Sequence, residues 1–203
     1  MTERPPGAPL LREINWQTSY RHDDGDLVEL FYVRALACAA TYDRTTGFFT
    51  ADALALAARG LERLIANRGR MRLIVGCTLG PEEVAAIREG YDRRAKIAEV
   101  LGALTLVPPD LKARNGLEAL AWMIEHGRLD IRVALPVDPA TRLPVVAPGI
   151  YHEKVGVITD FDGNRLSFSG SINETQGGWV NNRESFHVHC SWLGEREAWH
   201  VRD

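Results

Sequence analysis

The sequence predicts an α/β fold in which a mixed β-sheet is covered by helices on both faces. Two patterns support this prediction. A strand, a helix and a second strand follow one another between Cys38 and Cys77, as in a β-α-β unit with parallel strands. A hairpin pattern between Tyr151 and Phe168 adds antiparallel strands. The strand that begins at Met71 is almost continuously apolar, as in a sheet that is buried on both faces.

Length and composition favour one globular domain. The chain has 203 residues, of which 45% are hydrophobic and 25% charged, and this length is enough for a sizeable core. Residues 1–9 are rich in proline and are predicted to be a disordered lead-in, so that residues 10–203 form the domain. The formal net charge is −3, so any binding of nucleic acid must come from a local patch.

Cysteine usage and hydropathy predict a cytoplasmic protein. Cys38, Cys77 and Cys190 are widely spaced and form no C-x-x-C pair, which is typical of buried free thiols in a reducing compartment. No stretch approaches the roughly 20 apolar residues of a membrane span. The N-terminus lacks the charged and apolar pattern of a signal peptide.

The first half of the chain contains two predicted helices and two predicted strands. A helix is expected from about Asp26 to Leu36, followed by a strand from Cys38 to Tyr42. After a junction at residues 45–49, a helical stripe begins near Thr50 and ends at Gly69. The strand 71–77 completes the β-α-β unit.

The middle of the chain is predicted to be helical. Helices are expected to begin at Gly80, near Arg93 and near Leu117, and a strand with strict alternation follows from Leu129 to Leu135. A proline-rich loop, residues 136–149, then leads to Tyr151. A basic cluster on these helices is either a solvated face, the favoured interpretation, or a rim that contacts phosphates; its members are Arg93, Arg94, Lys96, Lys112 and Arg114.

Polar residues of five kinds gather in the stretch from Tyr151 to Glu184. His152 and Lys154 are two residues apart, which on a strand places both side chains on one face. A turn signal at residues 162–164 returns the chain beside this strand, and Ser171 and Asn173 again share a face. Glu184 opens the next apolar run. We therefore expect these five side chains to converge at the ends of adjacent strands.

These groups suit the cleavage of a phosphodiester. The substrate is an anion, which repels hydroxide but not a neutral imidazole, so His152 can attack phosphorus and form a phosphohistidine. Lys154, Ser171 and Asn173 are donors suited to the charge of the transition state. A carboxylate such as Glu184 on the second ring nitrogen would fix the tautomer. No metal or other cofactor is required by this chemistry.

At these residues the sequence resembles the phospholipase D superfamily, whose signature is H-x-K, four residues, D, and later G-S-x-N. His152, Lys154, Gly170, Ser171 and Asn173 match it, and Glu184 stands where bacterial nucleases of the family place a supporting glutamate. The resemblance implies a phospholipase D-like α/β/α sandwich. Thr159 occupies the Asp position, with Asp160 one residue later, which leaves the structural role of the family Asp open.

A longer pattern resembles the phospholipase D-like domains at the front of bacterial DEAD/DEAH or SNF2-type helicases, many of them in restriction or phage-defence systems. The matching segments are Gly47-Phe48-Phe49 and the stretch from Phe168 through Trp192. This resemblance implies DNA as substrate and a helicase domain or subunit as partner. The chain is then either the front of a longer protein or a short standalone member.

Four further residues are candidates for substrate binding. Thr46 and Gly47 lie in the junction that borders the site in the resembling domains, although Gly47 alternatively only permits a turn. Arg44, like Tyr42, lies just before it and could face a phosphate. Trp179 could stack on a base or sugar, or could equally be a packing residue that covers the site. His187 and His189 share a strand face, but no third ligand is evident, so no metal site is predicted.

The chemistry also predicts a homodimer. Displacement at phosphorus needs a nucleophile and a general acid on opposite sides, and one imidazole cannot occupy both places. H-x-K occurs only at His152, so an isologous dimer with a shared active site supplies the second imidazole. The rival arrangement is a monomer that takes the acid from a downstream domain.

The sequence-based conclusion is a metal-independent nuclease, with other classes left open. One is a non-catalytic nucleic-acid docking module of a helicase, and another is a structural dimerisation unit. A third is a phospholipase or phosphatidyl transferase, against which the lack of a basic amphipathic helix with exposed aromatic residues counts. The complete set of five polar residues favours the enzyme.

Overall fold

One mixed β-sheet organises the computed structural model, which describes residues 4–47, 58–76, 122–146, 151–173, 175 and 177–202. Within these residues the sheet has seven strands in the spatial order β1-β7-β6-β5-β2-β3-β4. The strands are β1 (Ser19–Arg21), β2 (Thr41–Thr46), β3 (Arg70–Gly76), β4 (Leu129–Ala134), β5 (Val155–Thr159), β6 (Arg165–Gly170) and β7 (Ser185–Cys190).

The sheet consists of a parallel half and an antiparallel half. Strands β2, β3 and β4 are parallel neighbours, whereas β5, β6, β7 and β1 pair antiparallel. The halves meet where β2 pairs antiparallel with β5, with Thr45 opposite Val155. Val155 is in turn opposite Ser169 of β6. The end of β2, the beginning of β5 and the end of β6 therefore lie at one edge of the sheet.

Helices cover both faces, which confirms the predicted fold class. One face carries a π-helical turn (Val28–Tyr32) that continues into α1 (Val33–Cys38), together with α2 (Ala58–Ala66). The Asp26 carboxylate caps the first helix by accepting from the Val28 amide at 3.0 Å. The other face carries α3 (Glu195–Trp199), and the Ser167 hydroxyl of β6 donates to the His200 carbonyl oxygen at 2.9 Å. The described residues also include a helical segment at 122–125 and four short helical turns: Leu11–Glu13, His22–Asp24, Gly177–Asn181 and Ser191–Leu193.

An aromatic cluster fixes the first helix on the sheet. Phe31 is fully buried, and its ring centroid lies 4.8 Å from that of Phe186, 5.0 Å from Phe168 and 5.2 Å from Tyr20. Tyr20 stacks on Phe186 at 5.2 Å. Aromatic side chains bury large apolar areas, so this cluster is a main source of stability for the antiparallel half.

Asp160 is a buried structural residue at the turn of the β5–β6 hairpin. Its carboxylate accepts from the backbone amides of Asp162 at 3.0 Å and Asn164 at 2.9 Å, and from the Asn164 side-chain amide. It also accepts from the Leu11 amide at 3.0 Å, which ties the N-terminal segment to the hairpin. Asp160 thus organises the turn although it stands one residue beyond the Asp position of the signature, where Thr159 lies.

Several boundaries differ from the sequence predictions. The first helix continues to Cys38, so the strand expected from that residue begins only at Thr41. The strand β1 was not predicted; it pairs with β7 where Tyr20 packs into the aromatic cluster. The helix α3 was also unpredicted. The strands β3, β4 and β7 match their predictions, as does the hairpin turn, although β5 begins only at Val155. Of the helices expected after residue 80, the structure describes only the end of the third, residues 122–125, which stops before Gly127 with its positive φ of 62°. The other two helices and the basic cluster lie outside the described residues.

Two of the three cysteines lie within the described residues, and both are buried thiols. Cys38 and Cys190 are free and buried, and burial raises the pKa of Cys38 to about 12 and that of Cys190 to about 11. Both thiols therefore stay protonated at neutral pH. In the described part of the chain, no helix combines the length and the apolar character that a membrane crossing demands.

Candidate active site

The H-x-K pair lies in the extended segment that leads into β5 rather than on the strand itself. Since β5 begins at Val155, the expectation that His152 and Lys154 share one strand face is wrong. Their side chains are in different surroundings: His152 is exposed, whereas Lys154 is only 5% exposed. The imidazole is thus open to a ligand from solvent, and the ammonium lies beneath the surface.

The Lys154 ammonium is hydrogen-bonded within the H-x-K motif and interacts electrostatically with two charged side chains. Its Nζ donates to the carbonyl oxygen of His152 at 3.0 Å. Burial lowers the pKa of Lys154 from its ordinary value of 10.5, Glu184 acts to raise it and Arg44 acts to lower it further. The lysine therefore brings a poorly solvated positive charge close to the peptide bond that follows His152.

The G-S-x-N segment is shaped by a close approach of β6 to β7. A side chain at Gly170 would collide with the Ser185 carbonyl oxygen and would lie 2.6 Å from Cα of Phe186, so only glycine fits there. The next residue continues the pairing, because the Ser171 amide donates to the Ser185 carbonyl oxygen at 3.0 Å. The exposed Ser171 hydroxyl accepts from the Ser185 amide at 3.2 Å. This hydroxyl is anchored and still accessible.

Asn173 meets the end of β2. The Thr46 hydroxyl donates to Oδ1 of Asn173 at 3.4 Å, and the Asn173 carbonyl oxygen accepts from the Thr175 amide at 2.9 Å. A methyl group placed on Gly47 would lie 3.5 Å from Oδ1 of Asn173 and 3.2 Å from Cδ2 of His152. The imidazole and the carboxamide therefore lie side by side against Gly47, which brings together two parts of the motif that are distant in sequence.

Glu184 lies near the site without a direct bond to the imidazole. Its Oε1 accepts from Nδ2 of Asn182 at 3.1 Å, and its charge acts on Lys154. Within the described residues no hydrogen bond joins Glu184 to His152, so the expectation that this carboxylate fixes the imidazole tautomer stays a prediction. Asn182 is a partner that the sequence analysis did not identify, although its position two residues before the glutamate is a usable signal.

All the candidate substrate contacts are buried: Arg44, Tyr42, Thr46, Gly47 and Trp179. Arg44 is 2% exposed, its Nη2 donates to the Ile172 carbonyl oxygen at 2.6 Å, and its guanidinium lies 4.8 Å from the Phe168 ring centroid. The Arg44 side chain thus supports the backbone of the G-S-x-N segment from the protein interior and does not face solvent. Tyr42 is fully buried in the core. Trp179 is 2% exposed and packs 4.5 Å from Tyr32, so the packing interpretation is correct.

One of the two strand histidines, His189, is engaged elsewhere. His189 pairs with Glu197, at 2.8 Å between Nδ1 and Oε2, and its ring stacks on that of His200 at 4.1 Å. These contacts fix α3 to the sheet face opposite the aromatic cluster. Across the ranges that the structure describes, no group of three or more His, Cys, Asp or Glu side chains is arranged to hold a metal ion.

The structure defines the class of protein: an α/β protein whose mixed sheet gathers an imidazole, an ammonium, a hydroxyl and a carboxamide at one edge. No model of a known protein family matches the chain, and neither does any curated protein. Among solved structures, the chain is similar to NucT from Helicobacter pylori, with 12% sequence identity, a TM-score of 0.45, and 84% of this chain and 81% of that chain covered.

The chain is also similar to two mutant forms of a yeast tyrosyl-DNA phosphodiesterase. One has 11% identity and a TM-score of 0.40, covering 73% of this chain. The other has 9% identity and a TM-score of 0.38, covering 75% of this chain. In both cases the similarity covers 25% of the yeast chain, so this chain corresponds to about a quarter of that protein.

Proposed function

We propose that this protein is a metal-independent phosphodiesterase that cleaves DNA through a phosphohistidine on His152. The observation that carries the proposal is the meeting of His152 and Asn173 against Gly47, at 3.2 Å and 3.5 Å from the position of a Cβ there. The β5–β6 hairpin brings these two parts of the motif, which are 21 residues apart (173 − 152), to one place that a ligand can reach from solvent. The resemblance of this motif to the phospholipase D signature supports the same chemistry.

The first step is displacement at phosphorus by His152. One ring nitrogen forms a bond to phosphorus while the bond from phosphorus to the leaving oxygen breaks, and the leaving oxygen takes a proton from a general acid. The negative charge that develops on the other phosphate oxygens is stabilised by Lys154, the Ser171 hydroxyl and the Asn173 amide. The exposure of His152 and Ser171 supports these roles, because a phosphate can approach both from solvent.

The second step releases the phosphate from the protein. Water forms a bond to phosphorus, the bond between nitrogen and phosphorus breaks, and the proton of the water passes to the group that acted as acid. The same donors serve both steps, because both transition states place charge on the same oxygens. Glu184 stabilises the positive charges of the site, an effect supported by its action on the pKa of Lys154.

The general acid is the His152 of a second protomer, in an isologous dimer with a shared active site. This part of the proposal rests on the chemistry, since the sequence contains one H-x-K motif and the reaction needs groups on both sides of phosphorus. The exposed position of His152 supports it, because a partner's imidazole can reach the same phosphate. In the rival arrangement, a downstream domain supplies the acid and the chain acts as a monomer.

DNA as substrate, a helicase partner and a role in phage defence or restriction follow from the resemblance to helicase-linked domains. The polar character of the exposed motif residues, His152 and Ser171, is compatible with a charged polymer as ligand. A lipid substrate would instead need an exposed apolar surface that enters the bilayer interface.

Covalent trapping tests the proposed chemistry directly. The protein is mixed with end-labelled single-stranded and double-stranded oligonucleotides in excess EDTA, quenched in alkali and separated by denaturing electrophoresis. We expect a labelled protein band that is lost with His152→Ala, because the phosphohistidine survives alkaline quenching better than acid. Cleavage that disappears in EDTA and returns with Mg²⁺ or Mn²⁺ would reject the mechanism.

Subunit mixing tests the shared site. Inactive His152→Ala protein is added in increasing ratio to wild type, and subunits are allowed to exchange before the cleavage rate is measured. A shared site predicts that the added mutant lowers the rate. Each heterodimer has only one His152 side chain in the shared site and therefore lacks activity of its own. Full activity of a species that light scattering shows to be monomeric would contradict the dimer.

A further inference from the structure

The end of β2 contains a buried hydroxyl that faces the candidate site. Thr46 has no exposed surface, and its Oγ1 donates to Oδ1 of Asn173 at 3.4 Å. It is the last residue of β2, a strand with neighbours on both sides: Thr46 pairs with Val75 of β3, and Thr45 pairs with Val155 of β5. Asn173, by contrast, lies beyond the end of β6. A rigid strand residue thus contacts a functional side chain outside the strands.

The contact matters because a carboxamide has two unlike ends. Only the NH2 end of Asn173 can donate to a phosphate oxygen, whereas its Oδ1 would repel the anion. A rotation of half a turn about the last side-chain bond exchanges these ends at little cost unless a neighbour distinguishes them. A hydroxyl can donate or accept, and in this structure the Thr46 hydroxyl donates to Oδ1, which stabilises this one of the two orientations. Gly47 lies beside the same oxygen, since a methyl group there would be in van der Waals contact with it at 3.5 Å.

We propose that Thr46 is a positioning residue that holds Oδ1 of Asn173, so that the carboxamide presents its NH2 group to the phosphate. Thr46 does not touch the substrate, and this replaces its earlier assignment as a substrate-binding residue. The inference rests on the proposed function, because it assigns the Asn173 amide to the charge that develops on phosphate.

The first test compares substitutions that differ in the hydroxyl. Thr46→Val keeps the shape of the side chain and removes the hydroxyl, and Thr46→Ser keeps the hydroxyl. We expect kcat for oligonucleotide cleavage to fall about 10- to 100-fold with Thr46→Val, since loss of a whole donor to the transition state costs about 10²- to 10³-fold. KM should stay within about threefold of wild type, because the loss is felt mainly in the transition state. Thr46→Ser should retain most of the activity.

Thr45→Val is the matched control. It removes the neighbouring hydroxyl, which bonds to the backbone of Val155 on the adjacent strand and to the Tyr151 side chain rather than to a residue of the motif. Its kcat should equal that of wild type, even if its unfolding temperature is lower. Should Thr46→Val fail to fold, Thr46→Ala removes the same hydroxyl with a smaller side chain and carries the same expectation.

A double substitution separates positioning from general stability. In the Asn173→Ala background there is no carboxamide to orient, so adding Thr46→Val should change kcat less than twofold. A merely structural Thr46 would instead reduce kcat by the same factor in both backgrounds. That result would overturn the proposal.

A readout that does not use catalysis distinguishes this inference from the proposed function. The side-chain NH2 signals of Asn173, assigned in an amide nitrogen-proton correlation spectrum by their absence in Asn173→Ala, should shift with Thr46→Val and keep their wild-type positions with Thr45→Val. Unchanged signals in Thr46→Val would overturn the positioning role and leave the nuclease proposal standing. If His152→Ala cleaves DNA at the wild-type rate, the nuclease proposal fails whatever the spectra show.

Discussion

The two ends of the β5–β6 hairpin place polar side chains in opposite circumstances. At the turn, Asp160 is 3% exposed, and its carboxylate accepts hydrogen bonds from three backbone amides and one side chain. At the open end, His152 and Ser171 are exposed and Asn173 is half-buried. The open end is nevertheless tied to β7, because the Ser171 amide donates to the Ser185 carbonyl oxygen and the Ser171 hydroxyl accepts from the Ser185 amide.

This difference separates a structural polar residue from a functional one. A buried carboxylate needs its partners to offset desolvation, and Asp160 has enough of them to be explained by the fold alone. At the open end the polar side chains stay accessible instead: His152 and Ser171 are exposed, and the half-buried Asn173 accepts one hydrogen bond from Thr46. Lys154 is intermediate between the structural and the functional residues. It is buried like Asp160, but burial lowers its pKa. The predictions that follow test each class.

The largest expected effect is the loss of cleavage with His152→Ala. If His152 is the nucleophile, the rate should fall on the order of 10³-fold or more. The unfolding temperature should change little, because the side chain is exposed. His187→Ala, which truncates another exposed histidine, is the control and should keep wild-type activity. A rate of His152→Ala within tenfold of wild type would contradict the assignment.

Asp160→Ala should have the opposite effect: a loss of stability with little loss of activity. Removing the carboxylate leaves the Leu11 amide and the turn amides without their acceptor, so we expect the free energy of unfolding to fall by about 3 kcal/mol in urea denaturation. The fraction that remains folded should cleave normally. Asp162→Ala is the control, because its ion pair with Arg12 is exposed and should contribute less than about 1 kcal/mol. Equal losses in the two variants would show that the turn does not depend on the buried carboxylate.

Lys154→Met should lower activity without lowering stability. The ammonium is a charge the phosphate meets in both the ground and transition states, so we expect kcat/KM to fall about 10²-fold, with KM raised as well. The folded state should be no less stable, because burial already disfavours the charged ammonium. Urea denaturation and steady-state kinetics on the same preparation check both points. A marked drop in stability would place Lys154 with Asp160 among the structural residues.

The smallest expected effect is a shift in the alkaline limb of the pH profile. Because the pKa of Lys154 is below 10.5 in the folded protein, cleavage should decline at a lower pH than an ordinary lysine would give. Between the folded pKa and 10.5 the unfolded chain binds more protons, so stability contributed by this group rises with pH in that window. Lys154→Arg should move the alkaline limb upward, since arginine stays protonated there. A limb at the same pH in both proteins would exclude Lys154 as its source.

The sequence predicted those parts of the structure that depend on local pattern. The hairpin, β7 and the β-α-β unit follow from alternation, turn residues and glycine positions, and the matches at Ser171 and Gly170 follow from residue type and spacing. The burial of Arg44 was not predictable in this way. A charged residue on β2 is expected to be exposed, and only the tertiary contact with the Ile172 carbonyl oxygen and the Phe168 ring explains its position.

The contact of Thr46 with Asn173 was missed for the same reason. The sequence indicated that residues 46 and 47 border the site, but not that the hydroxyl contacts a motif residue 127 positions later. Likewise, α3 has no strong sequence pattern. Its position is set by contacts of His189 with Glu197 and of Ser167 with His200, on one face of the sheet. Contacts between residues that are distant in sequence carry no local signal, so the structure was needed to find them.

The antiparallel junction of β2 with β5 has a consequence for the order of folding. The two strands are separated by more than 100 residues, and the loop entropy of joining them must be overcome before their contacts stabilise the sheet. The hairpin closes a short loop and can form early, yet His152 and Asn173 meet Gly47 only after the junction has closed. Catalytic competence should therefore appear in refolding with the slowest phase of sheet assembly, later than the fluorescence change that reports the packing of Trp179.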